Sequence, residues 1–327
     1  MKKITYIDAL NEAICEEMAR DPNVFIIGED IDIEGGVWKE TKGLKEKFGP
    51  ARVVGTPISE SAFTGIAAGA AMCGLRPIIE FMYMDFSLVA LDQLCNQIAK
   101  LPLMSGGSVP MPVTVRMCGA GYGTREGAQH SQSLEAFFIH TPGFKVVMPA
   151  TAQDAKGLMK AAICDNGPVV FIENRNLYYE KDTIPEDEYL IPIGKADIIQ
   201  EGTDVSVVSL GYARKKVCDA VKLLPPSISI EIIDLRTADP LDMHTVLASL
   251  EKTGKILVVQ EAPVKCGAGA EIVRKIIAEG FDYLDCPPIV AGGKNVPVPF
   301  SPCLEDSVVL SAEDIAEKIT ALAEYKI

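Results

Sequence analysis

The chain has no CxxC pair, no Walker loop, no His/Cys cluster, and no Gly-Asp-Gly motif with an Asn downstream. Nothing in it therefore supplies a metal cage or a diphosphate-and-metal loop of its own. Its nine cysteines are scattered and odd in number, which argues for reduced thiols and against a disulfide framework. No apolar run approaches the ~18 residues of a membrane span. Met1-Lys2-Lys3 leads straight into an amphipathic helix, not into an apolar signal segment. The expectation is a soluble, cytoplasmic protein without a membrane partner. Positive charge is scarce: 31 Lys and Arg stand against 45 Asp and Glu, for a net charge of −14. That argues against the clustered basic surface a nucleic-acid partner requires.

What is present is core-forming material. The 327 residues are 48% hydrophobic, enough for two domains or one large α/β unit. Short apolar strands at Val24–Ile27, Arg52–Val54, Pro77–Phe81, Pro112–Arg116, Lys145–Met148 and Val169–Ile172 alternate with helical patterns. The helices are predicted from Thr5, capped through Asp8, over Ser59 to about Cys73 with Gly74 as stop, over Asp85–Lys100 and over Thr151–Cys164. Continuous apolar strands alternating with helices read as a parallel sheet covered on both faces. Lys, Asp, Glu and Pro cluster without periodicity at Tyr179–Glu188, which reads as a linker. A second α/β series follows: strands at Val205–Val208, Ser229–Ile233 and Ile256–Val259, helices at Ala213–Leu224 and Gly267–Glu279, and a last helix capped by Ser311 with Asp314. The expected division is a first domain over 1–180, a linker over 181–195 and a second domain over 196–327.

Two segments carry candidate chemistry. Thr56-Pro57-Ile58-Ser59-Glu60-Ser61 puts a carboxylate in the first turn of a helix made almost wholly of small residues, Ala62 to Ala71. A carboxylate there serves either as a dipole-favoured cap or as an acid-base group. Glycine in a helix costs up to ~1 kcal/mol against alanine, so Gly65 and Gly69 point to close approach of another backbone, either inside the chain or across a subunit interface. About seventy residues on, Gly127-Ala128-Gln129-His130-Ser131-Gln132-Ser133 follows a glycine-rich loop, Gly119 to Gly127. Polar neighbours can fix the tautomer of His130, as proton transfer requires. His140 and His244 read as turn and surface residues. Neither Gly119-Ala-Gly121-Tyr-Gly123 nor Gly267-Ala-Gly269 fits a dinucleotide loop. On the residues alone this is a two-domain α/β protein with an incomplete pocket.

Seven motifs in order then carry a resemblance: Thr56 to Glu60, Gly74-Leu-Arg-Pro77, Met104-Ser-Gly-Gly107, Ala128 to Ser133, Pro149 to Gly157, Asp234-Leu-Arg-Thr237 with Pro240-Leu-Asp242, and Pro297-Val-Pro-Phe-Ser301. Together they resemble the β subunit of the thiamine-diphosphate-dependent first component of 2-oxo acid and acetoin dehydrogenase complexes. The resemblance implies an α/β, transketolase-like, parallel-sheet pyrimidine-binding domain followed by a transketolase C-terminal α/β domain. It implies an α subunit partner carrying the diphosphate and its Mg²⁺, in an assembly of two α and two β chains that serves a lipoyl acyltransferase.

By the same resemblance, Glu60 hydrogen-bonds a ring nitrogen of the cofactor's aminopyrimidine. Ile58, Met82 and Phe86 line the ring, Phe86 as the packing aromatic. His130 faces the reacting carbon. A structural monovalent cation, K⁺, is implied at Val113, Ala162, Ile163, Asp165 and Gly167, mostly through backbone oxygens. Ile58 to Phe63 and Arg116 to Gly121 look more like acetoin dehydrogenase than pyruvate dehydrogenase. The implied activity is acetoin cleavage with transfer of the two-carbon unit to lipoamide. The alternatives are oxidative decarboxylation of pyruvate or a branched-chain 2-oxo acid, and, from another class, a non-catalytic scaffold subunit. Two departures stand out. Leu101-Pro102-Leu103 replaces an aromatic before Met104, and Arg125-Glu126 puts two charges where small residues are usual.

Overall fold

The computed structural model describes residues 1–33 and 35–326 (for residue 120 the backbone alone). The chain forms two compact units: Met1–Ala120 with Phe137–Ile193, and Gly121–Ala136 with Gly194–Ile327. In the first unit six parallel strands lie in the order Lys145–Val147, Val169–Asn174, Thr114–Ala120, Arg76–Phe81, Val24–Glu29, Val53–Thr56. Strands Val24–Glu29 and Val169–Asn174 are buried at every position, which is why they read as unbroken apolar runs rather than alternating ones. Helices Tyr6–Arg20, Glu60–Met72 and Ala152–Cys164 cover the sheet. The first starts where expected: the Thr5 hydroxyl accepts from the Asp8 amide, satisfying an otherwise orphaned donor. In the second unit the strand order is Ile289–Gly293, Ile256–Pro263, Val205–Ser209, Ile230–Asp234, Asp197–Gln200, with the last antiparallel to its neighbour. Its core joins Val207, Ile232, Leu257 and Val259 to Ile315 and Ile319 of the final helix. That helix, Ala312–Ala323, carries the expected capping box of Ser311 and Asp314.

Three expectations need revision. The polar stretch taken to start the 181–195 linker contains a strand, Lys181–Ile184, paired antiparallel with Lys2–Thr5. Its outward side chains are exposed, so its composition resembles that of a linker. The segment expected as one helix over Asp85–Lys100 is a 3₁₀ run, Met84–Ala90, followed by a π-helical run, Asp92–Ile98. In the first run the Ser87 hydroxyl donates to the Met84 carbonyl, a local bond that competes with regular helical pairing. Ser59 does precede the Glu60 helix, but its side chain does not cap it. The hydroxyl donates back to the Pro57 carbonyl.

Candidate active site

The Glu60 segment lies at the carboxyl ends of the parallel strands, where open α/β sheets place ligands. Glu29 ends strand Val24–Glu29, and Thr56 ends the adjacent Val53–Thr56, its partner in register. Four residues on, Glu60 opens its helix and is only 7% exposed. Glu29 and Glu60 are close enough to repel. Burial, with the Glu60 charge adding to it, pushes the Glu29 carboxyl above the usual range, against a hydrogen bond from the Ser59 amide. Glu29 Oε1 and Thr56 Oγ1 are buried without a hydrogen-bond partner among the described residues. Buried polar atoms left open in this way mark a place for a ligand's own donors and acceptors.

The Met84–Ala90 run packs against the Glu60 helix, with the Ser61 hydroxyl donating to the Val89 carbonyl at 2.7 Å, and it starts an aromatic wall. The Phe86 ring meets Tyr83 at 5.4 Å, and Tyr83 meets the single tryptophan, Trp38, edge-on at 5.3 Å. Trp38 in turn contacts Tyr178 at 5.9 Å. Such a chain of offset rings fixes the position of the outermost one. Gly119, at φ +61°, lets the neighbouring strand pass, since a Cβ there would come within 2.9 Å of the Met82 carbonyl and the Tyr83 ring. Met82 and Phe86 are half-buried, while Ile58 is 83% exposed.

Below this edge sits a charge cluster the sequence reading did not single out. Arg116 is fully buried and reaches two carboxylates: Nε and Nη2 bond Glu173 at 2.5 and 2.9 Å, and Nη1 pairs with Glu80. Glu40, also buried, hydrogen-bonds Glu80. Tyr178 donates to Glu173 at 2.8 Å. Burial pushes the Glu80 and Glu173 carboxyls upward despite Arg116, and Glu40 adds to the effect at both. Three carboxyls facing one guanidinium favour a proton held on Glu80. The available signal was a charged residue inside each of three apolar strands, of opposite signs in the Glu80–Arg116 register pair.

The small-residue helix bears on the alternative its glycines left open. Its buried face is Phe63, Thr64, Ala67, Ala68 and Ala71. Ala62, Gly65, Ile66, Gly69 and Met72 face outward. A Cβ on Gly69 would meet nothing within 4 Å, and one on Gly65 would meet only Gln93 Cγ at 4.0 Å. Packing inside this chain therefore does not call for either glycine.

His130 belongs to the second unit, in segment 121–136, whereas Glu60, Ile58, Met82 and Phe86 belong to the first. His130 is half-buried and its amide donates to the Gly127 carbonyl. His140 and His244 are exposed, as expected. The loop around His130 lines a cleft of about 320 Å³, which includes Tyr122, Gln132 and Ser133 on one side and Asn295 to Val298 on another. Arg125, one of the two unusual charges, turns to Glu305 and Asp306.

Of the five positions named for a monovalent cation, two are held by Arg76. Its guanidinium donates to the carbonyl oxygens of Ile163 at 3.0 and 2.9 Å and Asp165 at 2.7 Å. The Asp165 carboxylate pairs with Lys145 and also accepts the Gly167 amide at 2.8 Å. The Val113 and Ala162 carbonyls accept the amides of Val169 and Asp165. Among the described residues no three His, Cys, Asp or Glu side chains gather as a metal site, and no helix is long and apolar enough to cross a membrane.

Residues 2–181 match the transketolase pyrimidine-binding domain, and residues 194–315 match the transketolase C-terminal domain. The pyruvate dehydrogenase E1 component subunit beta of Rickettsia felis is 43% identical over 326 residues, covering 99% of this chain and 100% of the relative. The acetoin:2,6-dichlorophenolindophenol oxidoreductase subunit beta of Cupriavidus necator is 46% identical over 333 residues, covering 96% of each. The chain belongs to the E1 β-subunit family of 2-oxo acid and acetoin dehydrogenases. Another pyruvate dehydrogenase E1 β subunit, from Cyanidium caldarium, is 42% identical over 327 residues and covers both chains fully. A split-gene transketolase solved as an inactive β4 tetramer matches with TM-score 0.80, covering 99% of this chain and 100% of that one. At 23% identity it speaks to the fold alone. The family uses thiamine diphosphate. In an E1 β subunit, the buried carboxyl of Glu60, the open atoms beside it and the aromatic wall fit the polar ring half of that cofactor, and no group among the described residues fits its diphosphate metal.

Proposed function

We propose that this chain is the β half of an acetoin-cleaving, thiamine-diphosphate-dependent E1 component that passes a two-carbon unit to lipoamide on an acyltransferase. The reading rests above all on Glu60, a buried carboxyl beside Glu29, whose Oε1 is left without a hydrogen-bond partner among the described residues. The α subunit supplies the diphosphate and Mg²⁺ sites, in an assembly of two α and two β chains. When bound, the cofactor supplies a carbon acid that becomes the nucleophile toward the substrate carbonyl. Glu60 hydrogen-bonds a ring nitrogen of the aminopyrimidine and so holds the tautomer that accepts a proton. Phe86, with Met82 and Ile58, packs against the ring and keeps water from it. His130 moves a proton at the reacting end and helps acyl transfer to lipoamide. The outward face of the Glu60 helix, with glycines that no packing within the chain requires, is the surface another subunit covers.

Acetoin is favoured by the Ile58 to Phe63 and Arg116 to Gly121 segments and by the acetoin-oxidising relative. Pyruvate decarboxylation is the second reading, favoured by the names of the Rickettsia and Cyanidium relatives. Turnover of the α/β complex with acetoin, pyruvate and branched-chain 2-oxo acids, read with an artificial electron acceptor, decides between them. Preference for a 2-oxo acid refutes the acetoin assignment. A monovalent cation at Val113, Ala162, Ile163, Asp165 and Gly167 is part of the same proposal. The Asp165 carbonyl accepts once from Arg76 and keeps a lone pair for the ion, whereas the Ile163 carbonyl already accepts twice, so ion binding there requires the guanidinium to give up a bond. A melting temperature higher in KCl than in equimolar choline chloride checks it, and equal values refute it.

A further inference from the structure

We infer that Glu305 is the positioning residue for the loop that carries His130, and that it ties together two walls of the adjoining cleft. The inference deepens the reading of His130 given above. Backbone in the left-handed region recurs at every second residue of the loop: Gly121 at φ +112°, Gly123 at +81°, Arg125 at +64° and Gly127 at +80°. Alternation of this kind turns successive amides toward one side and forms a concave nest for an anion. Glu305 provides that anion, with its side chain completely buried. Its Oε1 accepts from the amides of Gly123 at 2.7 Å and Arg125 at 3.4 Å, and its Oε2 accepts from the Arg125 amide at 3.1 Å.

The Arg125 side chain continues the same grip. Its Nη1 lies 3.3 Å from Glu305 Oε2 and donates to the Pro302 carbonyl at 2.8 Å. Its Nη2 reaches Asp306 at 2.6 Å. A non-glycine residue in left-handed backbone is uncommon and needs its surroundings to hold it there. These contacts provide the hold. A second carboxylate, Glu261, accepts the Tyr122 amide at 2.7 Å. Across the loop, Thr124 and Ser131 share a hydroxyl hydrogen bond of 2.9 Å, and the Gly121 amide donates to the Gln132 carbonyl. His130 lies on the far limb, next to Ser131.

Glu305 sits on the short helix Pro302–Asp306, separated by residues 299–301 from the Asn295–Val298 segment of the cleft lining. Tyr122, Gln132 and Ser133 of the loop line the same cleft. A single carboxylate thus binds one lining segment to the chain that leads from the other. The two charges that looked out of place in front of the His130 motif are explained in part, because Arg125 serves the anchor rather than the pocket.

The test uses the full-length chain, alone and in complex with its α subunit, as Glu305→Leu, Glu305→Gln and Arg125→Met. Hydrogen exchange of residues 121–136 reads the anchor without any chemistry. Glu305→Leu is expected to speed exchange at the Gly123 and Arg125 amides about tenfold or more. It should lower kcat roughly 10²-fold, as misplacement of a reacting group does, while KM for thiamine diphosphate stays unchanged. Glu305→Gln, which keeps an oxygen acceptor, should recover most of both losses, and Arg125→Met should give a smaller rise in exchange. Should Glu305→Leu fail to fold, Glu305→Gln and Arg125→Met carry the comparison. Wild-type exchange in a folded Glu305→Leu chain, or in Arg125→Met where Glu305→Leu does not fold, overturns the anchor. Fast exchange with kcat unchanged overturns the positioning role. His130→Ala is the separate control: if it leaves turnover intact, the assignment of His130 fails, while loop exchange still decides the anchor.

Discussion

Replacing Gly65 and Gly69 together by leucine should stabilise the isolated chain while disrupting its assembly. Both positions lie on the outer face of helix Glu60–Met72 and have room for a side chain, the nearest atom to either added Cβ being 4.0 Å away. Each exchange of glycine for leucine in a helix gains roughly 0.7 kcal/mol of propensity. The pair should therefore raise the unfolding free energy of the β chain by about 1.5 kcal/mol, read from the urea midpoint at unchanged slope. In the assembled enzyme a neighbouring backbone is expected to fill that space. Overpacking there costs about 1–3 kcal/mol per site, so the affinity for the α subunit should fall roughly thirtyfold or more, measured by sedimentation over a concentration series. An unchanged association constant would refute the argument, because it would mean that the face stays open. A destabilised chain would also refute it, by showing that the glycines serve internal packing.

Three further outcomes follow from the same geometry. Arg116→Met leaves Glu80 and Glu173 buried without their cation and should cost about 3–5 kcal/mol; a change in unfolding free energy below about 1 kcal/mol would show that the cluster is not the buried network described. Glu29→Gln should stabilise the isolated chain at neutral pH. Because the folded Glu29 carboxyl is raised above its unfolded value, the wild type loses stability as pH climbs from the ordinary carboxylate range through the folded pKa; the two proteins should converge in acid, and a gain that persists below pH ~4 contradicts the assignment. Phe86→Ala should raise KM for thiamine diphosphate in the α/β complex, with the β chain still folded by circular dichroism; an unchanged KM would remove Phe86 from the ring contact.

The parallel sheet was legible because its strands are apolar along their whole length and its helices announce their caps, as at Thr5 and Ser311. Lys181–Ile184 escaped notice because a short outer strand with exposed side chains has the composition of a loop. The 3₁₀ and π runs over Met84–Ile98 share apolar spacing with an α-helix, and local bonds such as that of Ser87 leave no periodic trace. Glu60 stands out through its motif, whereas Glu29 beside it does not. Its role depends on two parallel strands ending in register, which no spacing along the chain encodes. Glu305 lies some 180 residues from the amides it holds, and only the fold brings them together. Arg125 was conspicuous as a misplaced charge, yet its partner could not be read from the sequence.

In the proposed enzyme this chain acts only with an α subunit, and Glu60 is indispensable to the reaction. Turnover should be measured for wild type and Glu60→Ala, alone and with α subunit, thiamine diphosphate and Mg²⁺, with assembly checked in the same samples. No turnover is expected from the β chain alone, and substrate-dependent turnover from the wild-type complex. An intact Glu60→Ala complex should lose roughly 10²-fold or more. Undiminished turnover in that complex would leave the chain a scaffold and Glu60 without a catalytic part.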